Sequence, residues 1–273
     1  MCRSPSRTCW PSLPSTSSRT NSAQNKWTAR NVYFPCMRSK LKAGILAVSA
    51  VAVTSASCDV RHIETGPMQT DPVAVELGKA DHADLDLKLG AGELDVAGGA
   101  DKLIDGEFEY NVADWKPKVS TSVIGSHTTI TIEQPPHAGF NGNPHYRWNL
   151  KLNDHAIFDV ALHMGAGQAN LNLGDLQLRD VVVEIGAGKV DVDLRGKPTR
   201  DYDVRISGGV GQAIVRLPHD VGIWAEAHGG LGNLTVDGLE KRDDHYQNSL
   251  YDTAKVHVHL KVEGGVGQIQ ILD

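Results

Sequence analysis

The chain has 273 residues and a formal net charge of −6. Residues 1–57 contain eight of the 27 basic side chains and no Asp or Glu, which leaves 19 basic against 33 acidic residues, a net charge of −14, in the remainder. This acidic remainder excludes nucleic acid as a partner, because binding to phosphates needs a basic face. The sharp charge boundary indicates that the first 57 residues lie outside the folded region, whose length allows one long or two modest domains.

The basic prefix divides into two segments. Residues 1–36 are rich in Ser, Thr, Pro and Arg without apolar periodicity, which predicts a disordered, non-structural stretch upstream of the true start. Their composition also fits an organelle transit peptide. Residues 37–57 begin with Met37 and basic residues, continue through the apolar run 43–56 and end in small residues, the layout of a secretory signal peptide. The apolar run is shorter than the ~20 residues that span a bilayer.

Cys58 directly follows this signal, whereas the other cysteines lie in the prefix, at Cys2, Cys9 and Cys36. The segment from Thr54 to Cys58 resembles the lipobox of bacterial lipoproteins, although Ser55 stands where that family usually has an aliphatic residue. The resemblance implies that Cys58 is acylated and becomes the N-terminus, which predicts an exported protein anchored to a membrane on the periplasmic or cell-surface side. An ordinary signal peptide cleaved beside an incidental cysteine is the alternative.

A tether at 58–72 precedes six repeats, each with a Gly-x-Gly motif between two alternating segments. The motif glycines are Gly90, Gly92, Gly165, Gly167, Gly186, Gly188, Gly209, Gly211, Gly230, Gly232, Gly265 and Gly267. Apolar residues stand two and four positions after each second glycine, as at Leu94 and Val96, so alternation places them on one buried face. In the last three repeats an additional Gly-containing step, as at 207–209, is interpreted as an insertion of two residues that preserves the inward face.

Each repeat is too small to bury its own apolar face, so the repeats must stack. The sequence predicts an all-β fold, a parallel β-helix or related β-prism solenoid, in which the Gly-x-Gly motifs are corner turns that need positive φ or close backbone approach. An immunoglobulin-like sandwich is the alternative. The final segment, 268–271, is expected to leave an open strand edge suited to strand addition.

Several motifs, taken in order, resemble the toast-rack domain of bacterial envelope proteins. They are Leu-Gly-Ala-Gly-Glu-Leu-Asp-Val at 89–96, then the segments 98–101, 108–111, 115–117, 132–134, 147–152 and 162–167. The resemblance covers Val75 to Leu194 and implies a surface β-solenoid, a domain of unknown function with no catalytic residues to transfer. It implies a toast-rack N-terminal domain at 73–175 and a second domain at 176–273, which is similar to LiaF-type cell-wall stress domains and adhesin β-solenoids.

The motifs that could indicate a nucleotide, metal or binding site are weak evidence for one. The glycine motifs lack the third glycine and the following helix of a nucleotide cradle, and they lack the Asp of calcium-binding nonapeptide repeats. His257 and His259 are the one weak metal candidate, because strand alternation points both imidazoles to one face about 7 Å apart; the alternative is the solvent side of an ordinary strand. The irregular stretch 134–145 is either a binding loop or a plain connection. The sequence predicts no metal, no cofactor and no catalytic residue.

Two functional classes remain. In the first, the solenoid is a non-catalytic binding or assembly module of the envelope, linked to envelope stress or adhesion, that engages the membrane through its lipid and an envelope protein, a glycan or a second copy of itself. In the second, it is an envelope enzyme acting on polysaccharide. The first is favoured, because function must be argued from a site and the sequence presents no catalytic one.

Overall fold

A computed structural model describes residues 65–136 and 143–273 of the chain. Apart from a 3-10 turn at Ala113–Trp115, its regular elements are strands: β1 (Gln69–Val75), β2 (His82–Gly98), β3 (Ile104–Tyr110), β4 (Lys118–Ile124), β5 (His127–Glu133), β6 (Tyr146–Leu152), β7 (Ile157–Asn172), β8 (Gln177–Asp193), β9 (Tyr202–Arg216), β10 (Gly222–Asp237), β11 (Glu240–Arg242), β12 (His245–Gln247) and β13 (His257–Leu272). These two ranges contain no helix that is long and apolar enough to cross a membrane. The predicted prefix, the signal peptide and Cys58 lie outside the described residues.

Six long strands pair in parallel in the order β2-β7-β8-β9-β13-β10 and form the body of the fold. Each bends at its Gly-x-Gly motif, so that both halves of the strand face one core. In β2, burial alternates through Leu85, Leu87 and Leu89 and resumes, shifted by one position, at Leu94 and Val96. The predicted all-β solenoid is therefore confirmed. Full burial of each such aliphatic side chain stabilises the fold by about 1.5–3 kcal/mol.

The Gly-x-Gly motifs differ from the prediction in one respect, because they do not separate two strands. The parallel ladder keeps its register across the corner, where Ala91 lies opposite Ala166 and Gly92 lies opposite Gly167, and it omits only the first glycine of the motif. Positive φ at the second glycine changes which side of the strand faces inward without reversing the chain. Continuous pairing also satisfies the backbone groups that a turn would leave to solvent.

The corners stack because their backbones lie in direct contact. At Gly188, φ is +138°, and a Cβ placed there would overlap the carbonyl oxygen of Gly167 in the preceding coil. The same relation links Gly211 to Gly188 and continues to the end of the stack. Only glycine meets both requirements, since it has no Cβ and accepts positive φ at no steric cost.

The other end of the solenoid, at β2, is closed by strands from the N-terminal part of the described chain. The first half of β2 pairs with β5, which forms a hairpin with β4, and its second half pairs with β6, which continues antiparallel to β3 and β1. Between these two extensions lies an aromatic cluster, in which the ring of Trp148 is 5.4 Å from Phe108 and 5.9 Å from Tyr146. Tyr146 donates a hydrogen bond of 2.8 Å to the carbonyl of Trp115.

One apolar core runs from Val73 in β1 to Ile271 in β13. Strands β7 and β8 lie on either side of residue 175, and they pair along their full length with one register shift near Phe158. The division into domains at 73–175 and 176–273 stays a prediction.

The glycine contacts generate a testable prediction. Gly188→Ala should lower the free energy of unfolding by about 1–3 kcal/mol or more. The reason is that alanine disfavours the positive φ of this position and its methyl group would overlap the Gly167 carbonyl. Gly208→Ala is the matched control, since its Cβ would lie 3.6 Å from Ile185 in ordinary contact. Denaturant unfolding of the two variants measures the difference, and equal stability would contradict the assignment of the corner contacts.

Candidate functional site

The residue on the outside of each corner changes in size along the stack of coils. The middle residue of the motif is alanine in the first three coils, at Ala91, Ala166 and Ala187, and a larger apolar residue in the last three. Val210, Val266 and Leu231 lie side by side in the ladders of β9, β13 and β10 and are 57%, 49% and 75% exposed. The last three coils therefore carry an exposed apolar ridge, which we call the apolar corner.

Beneath the apolar corner the core contains fewer side chains than in the earlier coils. Gly208 in β9 lies opposite Ile185 in β8, at the inward position that Leu89 and Met164 fill in the earlier coils. The expected insertion of two residues at 207–209 is therefore wrong: β8 and β9 pair through this position without an inserted residue, and a glycine replaces an aliphatic residue. Gly264 and Gly229 lie at the same level of the stack. The missing side chains leave a small cavity of about 130 Å³, lined by glycines and by aliphatic side chains that include Ile206, Leu234 and Ile269.

An unpaired strand edge adjoins the apolar corner. Strand β10 pairs with β12 at Trp224 and Ala225, but from Glu226 to Asp237 it pairs with β13 alone among the described residues. The side chains of Leu234 and Val236 point to the core yet are only partly buried, because no further coil covers them. This half-strand is the open end of the solenoid.

The expectation that 268–271 forms the open edge is wrong. These residues belong to β13, which lies between β9 and β10 although it follows both in sequence. The order suits the inward side chains, since the central strand β13 carries Leu260 and Val262 where the outer strand β10 has only Ala225 and Ala227. The inward residues of β13 are all buried as a result, at Val258, Leu260, Val262, Ile269 and Ile271. The segment 238–256, with β11 and β12, spans the crossover.

The outer face of the first strand halves is charged. Asp84, Asp159, Asp180 and Asp203 lie opposite one another on β2, β7, β8 and β9 and form a row across the sheet. Arg179 binds Asp159 and Arg205 binds Asp180, so cations lie between the carboxylates.

Two of these carboxyl groups have shifted pKa values. Burial alone would raise the pKa of Asp159, but hydrogen bonds from Arg179 and His82 outweigh it and hold the pKa below its ordinary value. For Asp180, burial raises the pKa; the Asp159 and Asp203 carboxylates reinforce the rise, and Arg205 only partly opposes it. The row is thus a set of mutually coupled charges within the sheet.

Two pairs of histidines lie at opposite ends of this face. At the N-terminal end, His82 and His127 stack with ring centroids 4.9 Å apart, and Asp84 lies between their Nε2 atoms. At the other end lies the predicted weak metal candidate. His257 Nε2 is 2.9 Å from the carbonyl of Tyr251, and His259 Nδ1 is 3.2 Å from Asp203, so the two imidazoles have different partners.

The stretch 134–145 is described only at its ends, 134–136 and 143–145. The Gln134 side chain is buried and accepts hydrogen bonds of 2.7 and 3.0 Å from the amides of Gly90 and Ala91. These hydrogen bonds give partners to two backbone amides of the first corner, which has no preceding corner beside it. Gln134 is structural, and no signal in the sequence distinguished it from the rest of the loop.

Comparisons with known proteins agree with this architecture. A family model described as the N-terminal domain of toast_rack, DUF2154, matches residues 64–216. A solved structure from Clostridium sporogenes, named a "putative cell adhesion protein", is 29% identical with a TM-score of 0.70, and the alignment covers 75% of this chain and 99% of that one. No curated protein matches the chain.

Two further solved structures are more distant. A "putative adhesin" from Bacteroides fragilis is 10% identical over 76% of this chain and 97% of its own, with a TM-score of 0.27. A "putative lipid binding protein" from Parabacteroides distasonis is 12% identical over 76% of this chain and 98% of its own, also with a TM-score of 0.27.

Proposed function

The chain belongs to the toast-rack N-terminal domain family, and on that premise we propose that it is a non-catalytic binding module of the bacterial cell envelope. The similar structure from Clostridium sporogenes, which carries the name of a cell adhesion protein and aligns over 99% of its length, supports a binding role. Function on a widely shared scaffold must nevertheless be argued from a site.

The apolar corner is the observation that carries the proposal. Val210, Val266 and Leu231 form a contiguous exposed ridge on a chain whose region beyond residue 57 has a net charge of −14. Contiguous apolar surface of this kind marks a contact site, since its exposure to water is unfavourable. The glycines beneath it lack the side chains that fill the core in the earlier coils. The last coils thus differ from the earlier ones both in their exposed apolar ridge and in their reduced core packing.

A polypeptide fits this site better than a sugar. Within the described part of the chain, the edge of β10 from Leu231 to Asp237 has no strand beside it, and its free backbone donors and acceptors could pair with an added strand. The cavity of about 130 Å³ below the ridge is lined in part by Leu231 and Leu234 of the same half-strand. We therefore assign the partner as a strand of an envelope protein.

The site predicts a localised footprint. When the purified chain is mixed with detergent-solubilised envelope proteins, amide hydrogen exchange should slow at 231–237, and Leu231→Ser should abolish most of that protection because it removes the most exposed ridge residue. Val123→Ser is the matched control, since Val123 is 64% exposed on β4 at the far end. Protection that appears elsewhere, or that survives Leu231→Ser, would contradict the site. Release of product from envelope polysaccharide would contradict a non-catalytic role.

We further propose that Cys58 anchors the module to the membrane through acyl chains. Expression from Met37 should give a protein that begins at Cys58 and incorporates labelled fatty acid, and Cys58→Ala should lose the label. Mass spectrometry that finds an unmodified Cys58, or an N-terminus retaining residues 1–36, would contradict this anchor. A negative result for acylation would not affect the proposed binding site at the apolar corner, because the two proposals rest on different residues.

A further inference from the structure

Strands β2 and β5 bring together a set of side chains with the chemistry of a metal site. His82 and Asp84 lie on β2, and His127 lies opposite His82 on β5. The Nε2 atoms of the two imidazoles and a carboxylate oxygen of Asp84 all lie within 4.8 Å of one another. We propose that these three residues bind a divalent transition-metal ion of the zinc class.

The geometry needs only a small adjustment to hold such an ion. His127 Nε2 is 2.7 Å from the Asp84 carboxylate, and His82 Nε2 lies 3.3 Å from it while hydrogen-bonding Asp159 at 3.2 Å. In a tetrahedral site with bonds of 2.0–2.1 Å, neighbouring ligand atoms are about 3.3 Å apart. Both histidines start close to this spacing from Asp84, and rotation about their side-chain torsions brings the two nitrogens together.

The donor set selects the class of metal. Two imidazoles and one carboxylate suit Zn²⁺, Ni²⁺ or Cu²⁺, whereas Mg²⁺ and Ca²⁺ prefer oxygen ligands. Three protein ligands leave a fourth position for water. Asp159 lies next to the group, with an oxygen 3.2 Å from His82 Nε2, and adds negative charge that favours a cation; its bond to Arg179 keeps it outside the ligand set.

The ion would have a structural consequence. Strand β4 is exposed along its whole length and, among the described strands, pairs with β5 alone, its hairpin partner. A metal shared by His82 and His127 would tie β5 to β2 and so fasten the hairpin to the end of the solenoid. Binding to the folded state alone would also raise its stability, by an amount that grows with the logarithm of the metal concentration once the site is saturated.

Zinc titration of the chelator-treated full chain tests the proposal. Calorimetry should show one zinc ion per chain, with affinity lowered at least about ten-fold in His127→Ala and in Asp84→Asn, which keeps the shape of the side chain. His163→Ala is the matched control, because His163 lies on the same face, is 42% exposed against 41% for His127, and has a carboxylate partner, Glu184, at 2.9 Å.

Cobalt provides a second readout that does not depend on affinity. The wild-type chain and His163→Ala should give the visible absorption of four-coordinate Co²⁺, and His127→Ala should not, while the circular dichroism of all three stays the same. Zinc binding that is equal in wild type and His127→Ala, or that is absent at about a hundred micromolar zinc, would overturn the proposal. The result is independent of the apolar corner, which lies on other residues.

Discussion

The contact between glycine backbones at the corners is the constraint on which this fold depends. From Gly167 onward, each second glycine lies against the carbonyl of its counterpart in the neighbouring coil, and Gly92 in the first coil lies against the carbonyl of Tyr146. The backbones of the coils are therefore in direct contact. That contact sets the bend of every long strand, and the bend turns both halves of the strand toward a single aliphatic core. The stack can therefore grow by adding coils, since each one needs only its neighbour to bury its apolar face.

The same corners explain how one end of the molecule is specialised. In the first coils alanine lies outside and a large aliphatic residue such as Met164 or Ile185 lies inside; in the last coils this order is reversed, with Val210 outside and Gly208 inside. The backbone is unchanged, because corner contact depends on the flanking glycines alone. The last coils therefore have apolar side chains outside instead of inside, and the pairing of their strands is unaffected. This exposed apolar surface lies next to the second half of β10, which lacks a second neighbouring strand among the described residues.

The repeat and its inward face could be predicted from the sequence, because alternation and glycine spacing are local patterns. Burial of Leu94, Val96 and Ile271 follows from that phase. The order of the last strands could not, since it depends on which strand buries more side chains after the 238–256 crossover. The pairing of His82 with His127 could not be predicted either, because two strands, β3 and β4, separate them in sequence and parallel pairing joins distant segments. The exchange of alanine for Val210, Val266 and Leu231 was visible in the motif, but its meaning required the ladder that aligns them.

Amide hydrogen exchange of the unmodified protein tests the central claim most directly. If the corners are bends that keep the register of the ladders, the paired amides at 166–168 in β7 and 187–189 in β8, each between two neighbouring strands, should be as protected as the strand centres. Gly125, in the turn between β4 and β5, provides the internal reference for an unprotected glycine. Exchange at the two corners as fast as at Gly125 would show that they are turns between separate strands, and would contradict the account.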